Sequence, residues 1–374
     1  MTKRVAFLPY TKLQSLIALL ESDGYRCVGP QVRDDTIVYD TLVDVADLPR
    51  GYTSIQKPGE YRLQQSDSER LFDWANGAQA IKPHLFRAEE VMWTVVRDEH
   101  GQLNFQEIVP EAEKIAVFGA RACDIAALYI QDKHFLQSTY KEPAYLARRQ
   151  ELFIVAANCT TAAGTCFCAS TGDGPRAMSG YDLALTEIKD GFLLEAHSVH
   201  GQNKLDQLIQ LAELELATRQ QAEEAEQGIE NAAAQQSRTL PSHDLNDELF
   251  ANLEHPHWED VAARCLSCGN CTAVCPTCFC HTELDRGDLN LEHSEHIRQW
   301  DSCFSQRHSY IHGMTIREQT RTRYRQWLTH KLGSWHEQYG RSGCVGCGRC
   351  ISWCPVGIDL TEAVQQICTG GPDG

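Results

Sequence analysis

No apolar run in the 374 residues approaches the roughly 20 needed to cross a bilayer, so a membrane-spanning helix is not expected. The opening MTKRVAFLPYTKLQSL has two early basic residues, but Pro9, Tyr10 and Lys12 interrupt it before a secretory core forms. Neither G-x-G-x-x-G after a strand nor G-x-x-x-x-G-K-S/T occurs, so the chain lacks a dinucleotide fingerprint and a phosphate loop. Cationic excess is also missing: 34 Lys and Arg face 51 Asp and Glu, for a formal net charge of -17 and a pI near 5.3. A field of that sign repels phosphates and argues against nucleic acid or an anionic membrane as a direct partner. These absences imply a cytoplasmic protein, a compartment in which thiols stay reduced.

Cysteine is plentiful but uneven. Of 17 residues, only Cys27 precedes residue 120, four lie between Cys123 and Cys168, none falls between 169 and 264, and twelve follow from Cys265. In a reducing compartment that number argues for metal rather than for a disulfide framework.

The first region, KIAVFGARACDIAALYI, reads as a buried strand, a small-residue turn and a helix opening near Asp124. ELFIVAANCTT reads as a second apolar strand, and the pair with its helical connection as a βαβ unit of a parallel sheet. Cys123 and Cys159 then fall just past the carboxyl ends of strands, the edge where open sheets place ligands. Residues 205–236 are strongly helix-forming, with Leu205, Leu208, Ile209, Ala212 and Leu216 on one face and a polar, Ala-rich later half expected to project toward solvent or a partner. Pro241, Ser242, His243 and Asp244 mark the expected boundary between a domain at 1–240 and one at 257–374.

CLSCGNCTAVCP supplies Cys265, Cys268, Cys271 and Cys275, and CVGCGRCISWCP supplies Cys344, Cys347, Cys350 and Cys354. Both fit C-x2-C-x2-C-x3-C-P, the spacing of two-cluster bacterial ferredoxins. Three thiolates on a tight loop reach one cubane, while the fourth, on a following helix, points to the other. The expected ligand sets are therefore Cys265, Cys268, Cys271 and Cys354 for one 4Fe-4S cluster, and Cys344, Cys347, Cys350 and Cys275 for a second. Gly269, Gly346 and Gly348 let these loops turn close to sulfur. A structural zinc site would leave four of the eight thiols unexplained.

The tetrapeptide TCFC occurs twice. Its first copy gives Cys166 and Cys168, which with Cys123 and Cys159 make four thiols for a third cluster, a zinc ion, or packing as small hydrophobes. The second copy, in the insertion at 277–343, leaves Cys278 and Cys280 as surplus thiols; with Cys303 of WDSCF they are alternative ligands. His281 and His308 read as surface or core residues, and Arg317, Arg321 and Arg325 as a helical charge row with Arg323 off it. Cys27 and Cys368 stand apart and read as packed or exposed thiols.

RACD, NCTTAAGTCFCASTGDGP, CLSCGNCTAVCPTCFC, WDSCF and CVGCGRCISWCPVGI, in this order, resemble the iron-sulfur β subunit of cytoplasmic NiFe hydrogenases of the sulfhydrogenase type and the similar A subunit of anaerobic sulfite reductase. The resemblance covers about 114–359. It implies an electron-transfer subunit with no catalytic residue of its own, next to a flavin-containing, NAD(P)H-binding diaphorase subunit. NiFe hydrogenase small and large subunits, or a sirohaem sulfite reductase subunit, would complete the complex. A catalytic sulfur-compound reductase and a metal-stabilised scaffold are the competing readings. The expected fold is α+β: an N-terminal α/β domain with a partly parallel sheet, then an α-helical two-cluster ferredoxin-like domain with its insertion.

Overall fold

A computed structural model describes residues 5–211, 213–290 and 292–369. The strands Arg26–Arg33, Ile115–Ala120, Leu152–Asn158 and Leu183–Ile188 run parallel as the centre of an eight-stranded sheet. Gly191–Ala196, Val5–Pro9 and Glu215–Leu216 extend it antiparallel on one side, and Thr36–Thr41 on the other. The expected βαβ unit is present: Ile115–Ala120 leads into the helix Ala122–Leu136, with Asp124 in its first turn, and the chain returns through Leu152–Asn158.

These central strands are apolar on both faces because both faces are covered. Phe118, Phe153, Val155 and Leu185 point into a core shared with Leu13, Leu16, Ile17 and Leu20, the stripe of the helix Leu13–Ser22. Val117, Ile154, Ala156 and Ala184 point the other way, onto Ile125, Leu128 and Phe135. The first stripe follows the i, i+3, i+4, i+7 spacing of a helix packed along one side. A mixed α+β architecture with a partly parallel sheet is thus the fold.

The later half of the chain builds a helical core of Trp258, Tyr324, Trp327, Leu328, Leu332, Ile351, Val364 and Ile367, into which Cys344 and Cys354 also pack. Its insertion does not stay within that core. His281–Gly287 and His293–Trp300 form a hairpin that pairs with Glu89–Arg97, which pairs in turn with Leu103–Glu107.

The single helix expected at 205–236 is two helices, Val199–Gln210 and Arg219–Ala234. Between them, the alternation of Glu213, Leu214, Glu215 and Leu216 suits an edge strand, and Glu215–Leu216 pairs with Ala6 and Phe7. Thr218 then caps the second helix in a reciprocal box with Gln221, a local start signal that ends any continuous helix there. Ala212 lies outside the described residues. Instead of projecting outward, the second helix buries Ala225, Ile229 and Ala232, with Ala225 against Phe7, Ile188 and Leu193. Of the arginine row, only Arg321 and Arg325 lie on the helix Thr320–Thr329, and both pair with Glu254. Arg323 is buried and donates to the carbonyls of Phe304, Arg317 and Glu318.

Cys27 is sealed at 1% exposure in the sheet core, and burial pushes its thiol up to about 12. The reactive thiolate is therefore scarce well above neutral pH. Iodoacetamide at about pH 8 should leave Cys27 unlabelled in the native chain and label it in urea, as read by peptide mass spectrometry.

Candidate metal centres

In the first ferredoxin-like run the helix His257–Arg264 stops at Cys265, the loop turns at Gly269, and the short helix Asn270–Ala273 carries Cys271. In the second, the loop turns at Gly346 and Gly348 and the helix Arg349–Ser352 carries Cys350. All three glycines have positive φ, at 75°, 62° and 73° in chain order. Cys265, Cys268, Cys271 and Cys354, together with Cys350 of the other expected set, line one apolar cavity of about 30 Å³, closed by Phe304, Tyr324, Trp327 and Ile358. Cys344, Cys347, Cys350 and Cys275 form a neighbouring group, with Cys350 facing the other three. Each expected set of four is brought together, and each draws its fourth thiol from the other run.

Cys278 and Lys331 pull Cys275 well below the ordinary thiol range, but burial opposes ionisation at Cys271, Cys344 and Cys350. It raises Cys271 and Cys350 well above the ordinary thiol range and Cys344 to about 12. A thiolate here needs a cation to offset its desolvation, as an iron-sulfur core would supply. Lys331 is buried with its Nζ 3.5 Å from Cys275 Sγ and 2.7 Å from Thr277 Oγ1. Burial opposes its charge, but the thiols of Cys275, Cys278 and Cys344 outweigh that and hold it as an ammonium.

The first TCFC docks on the second ferredoxin-like loop. Phe167 N donates to Gly346 O at 2.8 Å. A Cβ on Gly346 would stand 2.5 Å from the Cys168 backbone, and one on Gly348 2.3 Å from Thr165 O, so close approach as well as φ demands glycine at both. Cys123 sits in the first turn of its helix and Cys159 directly after its strand. Cys168 faces Cys159 and Cys166, and Cys123 faces Cys168 and Cys347. Donors converge on these sulfurs: Arg121 Nη1 on Cys159 at 3.7 Å, Asn76 Nδ2 on Cys123 at 3.9 Å, and Gln236 Nε2 on Cys168 at 3.4 Å. Burial holds Cys166 up at about 12 and raises Cys123 and Cys168 as well.

Between this group and the second run lies a buried ion pair. Arg349 Nη1 and Nη2 each reach the Asp124 carboxylate at 2.9 Å, with the two side chains 1% and 2% exposed. Asn76 Nδ2 donates to Asp124 at 2.7 Å and Arg349 Nε to Gly77 O at 3.1 Å.

The second TCFC is separate from the first. Cys278 hydrogen-bonds Cys275, while Cys280 and Cys303, on either side of the insertion hairpin, bond each other. The Cys303 hydrogen bond pulls Cys280 down to about 4. His308 is not a bystander: it bonds both Cys280 and Asp301. Sequence reading missed His308, Lys82 and Lys331, whose positions carry no spacing signal.

Among the described residues, no three Cys, His, Asp or Glu side chains close on a point that would hold a single metal ion. A cubane spreads its thiolates over four irons, so its ligands surround a volume. The eight thiols of the two ferredoxin-like runs, four of them around one apolar pocket, suit that group better than they suit zinc.

Residues 264–358 match the family described as a 4Fe-4S dicluster domain. The chain is also 29% identical over 331 residues to the sulfhydrogenase 2 subunit beta of Pyrococcus furiosus, spanning 87% of this chain and 94% of that one. Both findings agree with the resemblance to hydrogenase iron-sulfur β subunits, and the similarity extends well beyond the cysteine runs.

Arg349→Met should destabilise the full chain by about 3–5 kcal/mol, because it strands a buried carboxylate. Denaturant unfolding of Arg349→Met, Asp124→Asn and the double variant checks this. The double variant should lose less than the sum of the two singles.

Proposed function

We propose that the chain is the electron-relay subunit of a cytoplasmic hydrogenase complex. In this reading Cys265, Cys268, Cys271 and Cys354 hold one 4Fe-4S cluster; Cys344, Cys347, Cys350 and Cys275 hold a second; and Cys123, Cys159, Cys166 and Cys168 hold a third. The chain divides into an α/β domain at 1–240 and a two-cluster domain at 257–374. Its electrons pass between a flavin- and NAD(P)H-binding diaphorase subunit and the NiFe subunits.

Adjacency of the three thiol groups carries the reading. Cys347 of the second group neighbours Cys123, Cys166 and Cys168 of the first region, while Cys271 of the other ferredoxin-like run neighbours Cys275 and Cys350. Contiguous centres make a path. Iron-sulfur clusters supply one-electron steps, and the protein sets their potentials through charge, burial and hydrogen bonds to sulfur. Arg121, Asn76, Gln236 and Lys331 are the donors placed to do so, and each would stabilise the more negative, reduced level of the cluster whose thiolate it faces. A complex supports the reading further, since the relative's printed name makes it one subunit among others. No helix among the described residues is long and apolar enough to cross a membrane, which is compatible with such an assembly.

Cys268→Ala in the assembled complex should reduce coupled transfer from NAD(P)H to the terminal acceptor by tenfold or more, on the order of 1.4 kcal/mol or above. Dye reduction by the flavin subunit should stay near wild type. Coupled turnover unchanged by the substitution would reject the relay.

A further inference from the structure

We propose that Cys278, Cys280 and Cys303, with His308 as the fourth donor, hold an additional iron-sulfur cluster, apart from the three assigned above. The assignment rests on the iron-sulfur reading of the chain but not on its partners.

The donors are delivered from both ends of one rigid element. Cys280 immediately precedes the strand His281–Gly287, and Cys303 follows the strand His293–Trp300 by three residues. Pairing Thr282 with Gln299 and His281 with Trp300 closes the base of that hairpin and brings the two cysteines into contact. Asp301 N donates to Cys280 O at 3.0 Å, which fixes the register there. His308 Nδ1 donates to Asp301 Oδ2 at 3.0 Å, and the ring also faces Cys280, so Nε2 is the nitrogen assigned to iron, in place of its contact with the Cys280 sulfur. A carboxylate that orients the non-ligating nitrogen of a histidine is the usual outer support of a metal-bound imidazole.

Charge supplies the second argument. Cys278 and Cys280 line a pocket of about 380 Å³ whose wall includes Lys82, 5% exposed. Among the described residues, Lys82 Nζ donates to the Cys275 carbonyl at 3.2 Å and lies 4.0 Å from the centre of the Trp300 ring. Lys331, 4% exposed, approaches Cys275, Thr277 and the Gly343 carbonyl from beneath. Among the described residues neither ammonium has a carboxylate in ion-pair contact. Two buried cations beside each other are costly unless an anion joins them. The second ferredoxin-like cluster, through Cys275, offsets Lys331. Lys82 faces the pocket of Cys278 and Cys280, and a cluster with three thiolate ligands carries the negative charge that position requires.

The same pocket is walled by Cys268 and Gly269 of the first ferredoxin-like loop. An additional cluster there lies next to that one, on the side open to solvent, where a partner would deliver or collect electrons.

The test uses the full chain, purified anaerobically with its partners. A Cys280→Ser/Cys303→Ser double variant should lose about four irons and four sulfides relative to wild type, together with one set of paramagnetic signals, while the other clusters' signals remain. Unchanged iron and sulfide would overturn the proposal. So would zinc, rather than iron, lost from the same variant. If the double variant does not fold, pulsed electron-nuclear resonance on the reduced wild-type protein decides. A directly bound imidazole nitrogen should appear there, and His308→Cys should abolish it with iron content preserved. No bound nitrogen in the wild type would equally overturn it. Coupled turnover is not a readout, so a failed relay reading leaves each of these outcomes intact.

Discussion

The Asp124–Arg349 ion pair is the constraint around which the two halves of the molecule are arranged. It joins the first turn of a helix in the parallel sheet to the short helix of a ferredoxin-like run, 225 residues later, with both side chains almost fully out of water. A buried pair is weak evidence for stability but strong evidence for specificity, because either partner alone is costly. Here it fixes one orientation. Cys123, beside Asp124, is held toward Cys347, and the loop of Thr165–Cys168 settles onto Gly346 and Gly348.

Around that pair the interior is organised by compensation. Cys123 and Cys344, pushed above their ordinary range by burial, are faced by Arg349 and Lys331; Asp124 offsets Arg349, whereas among the described residues Lys331 has no carboxylate in ion-pair contact. Hydrophobic residues close the pockets but do not set the charge. The apolar wall of Phe304, Tyr324 and Trp327 shields the inner side of the first ferredoxin-like group from water and strengthens electrostatic contacts there, while Cys268 stays exposed.

What could be read from sequence was local. The C-x2-C-x2-C-x3-C-P spacing specifies a loop and a following helix within twelve residues, and the βαβ unit announces itself through apolar strands and an acidic helix start. The break between Val199–Gln210 and Arg219–Ala234 was missed because residues 205–236 satisfy helix propensity, while the edge strand that interrupts them is stabilised by Ala6 and Phe7 far away in the chain. The role of His308 was equally hidden: its partners are Cys280, brought near by a hairpin, and Asp301. Glycine was legible as a turn former at Gly346, but the approach of Cys168 that forbids a side chain there was not.

The insertion hairpin pairs with Glu89–Arg97, and Arg298 on it shares the buried Glu90 carboxylate with Arg148. Glu90 therefore emerges from the ribosome 208 residues before one of its two arginine partners. The thiols of the first region likewise precede the loop they lie against. Synthesis consequently presents the cysteines in one order and the fold assembles them in another, so the thiol groups come together only after both ferredoxin-like runs have been made.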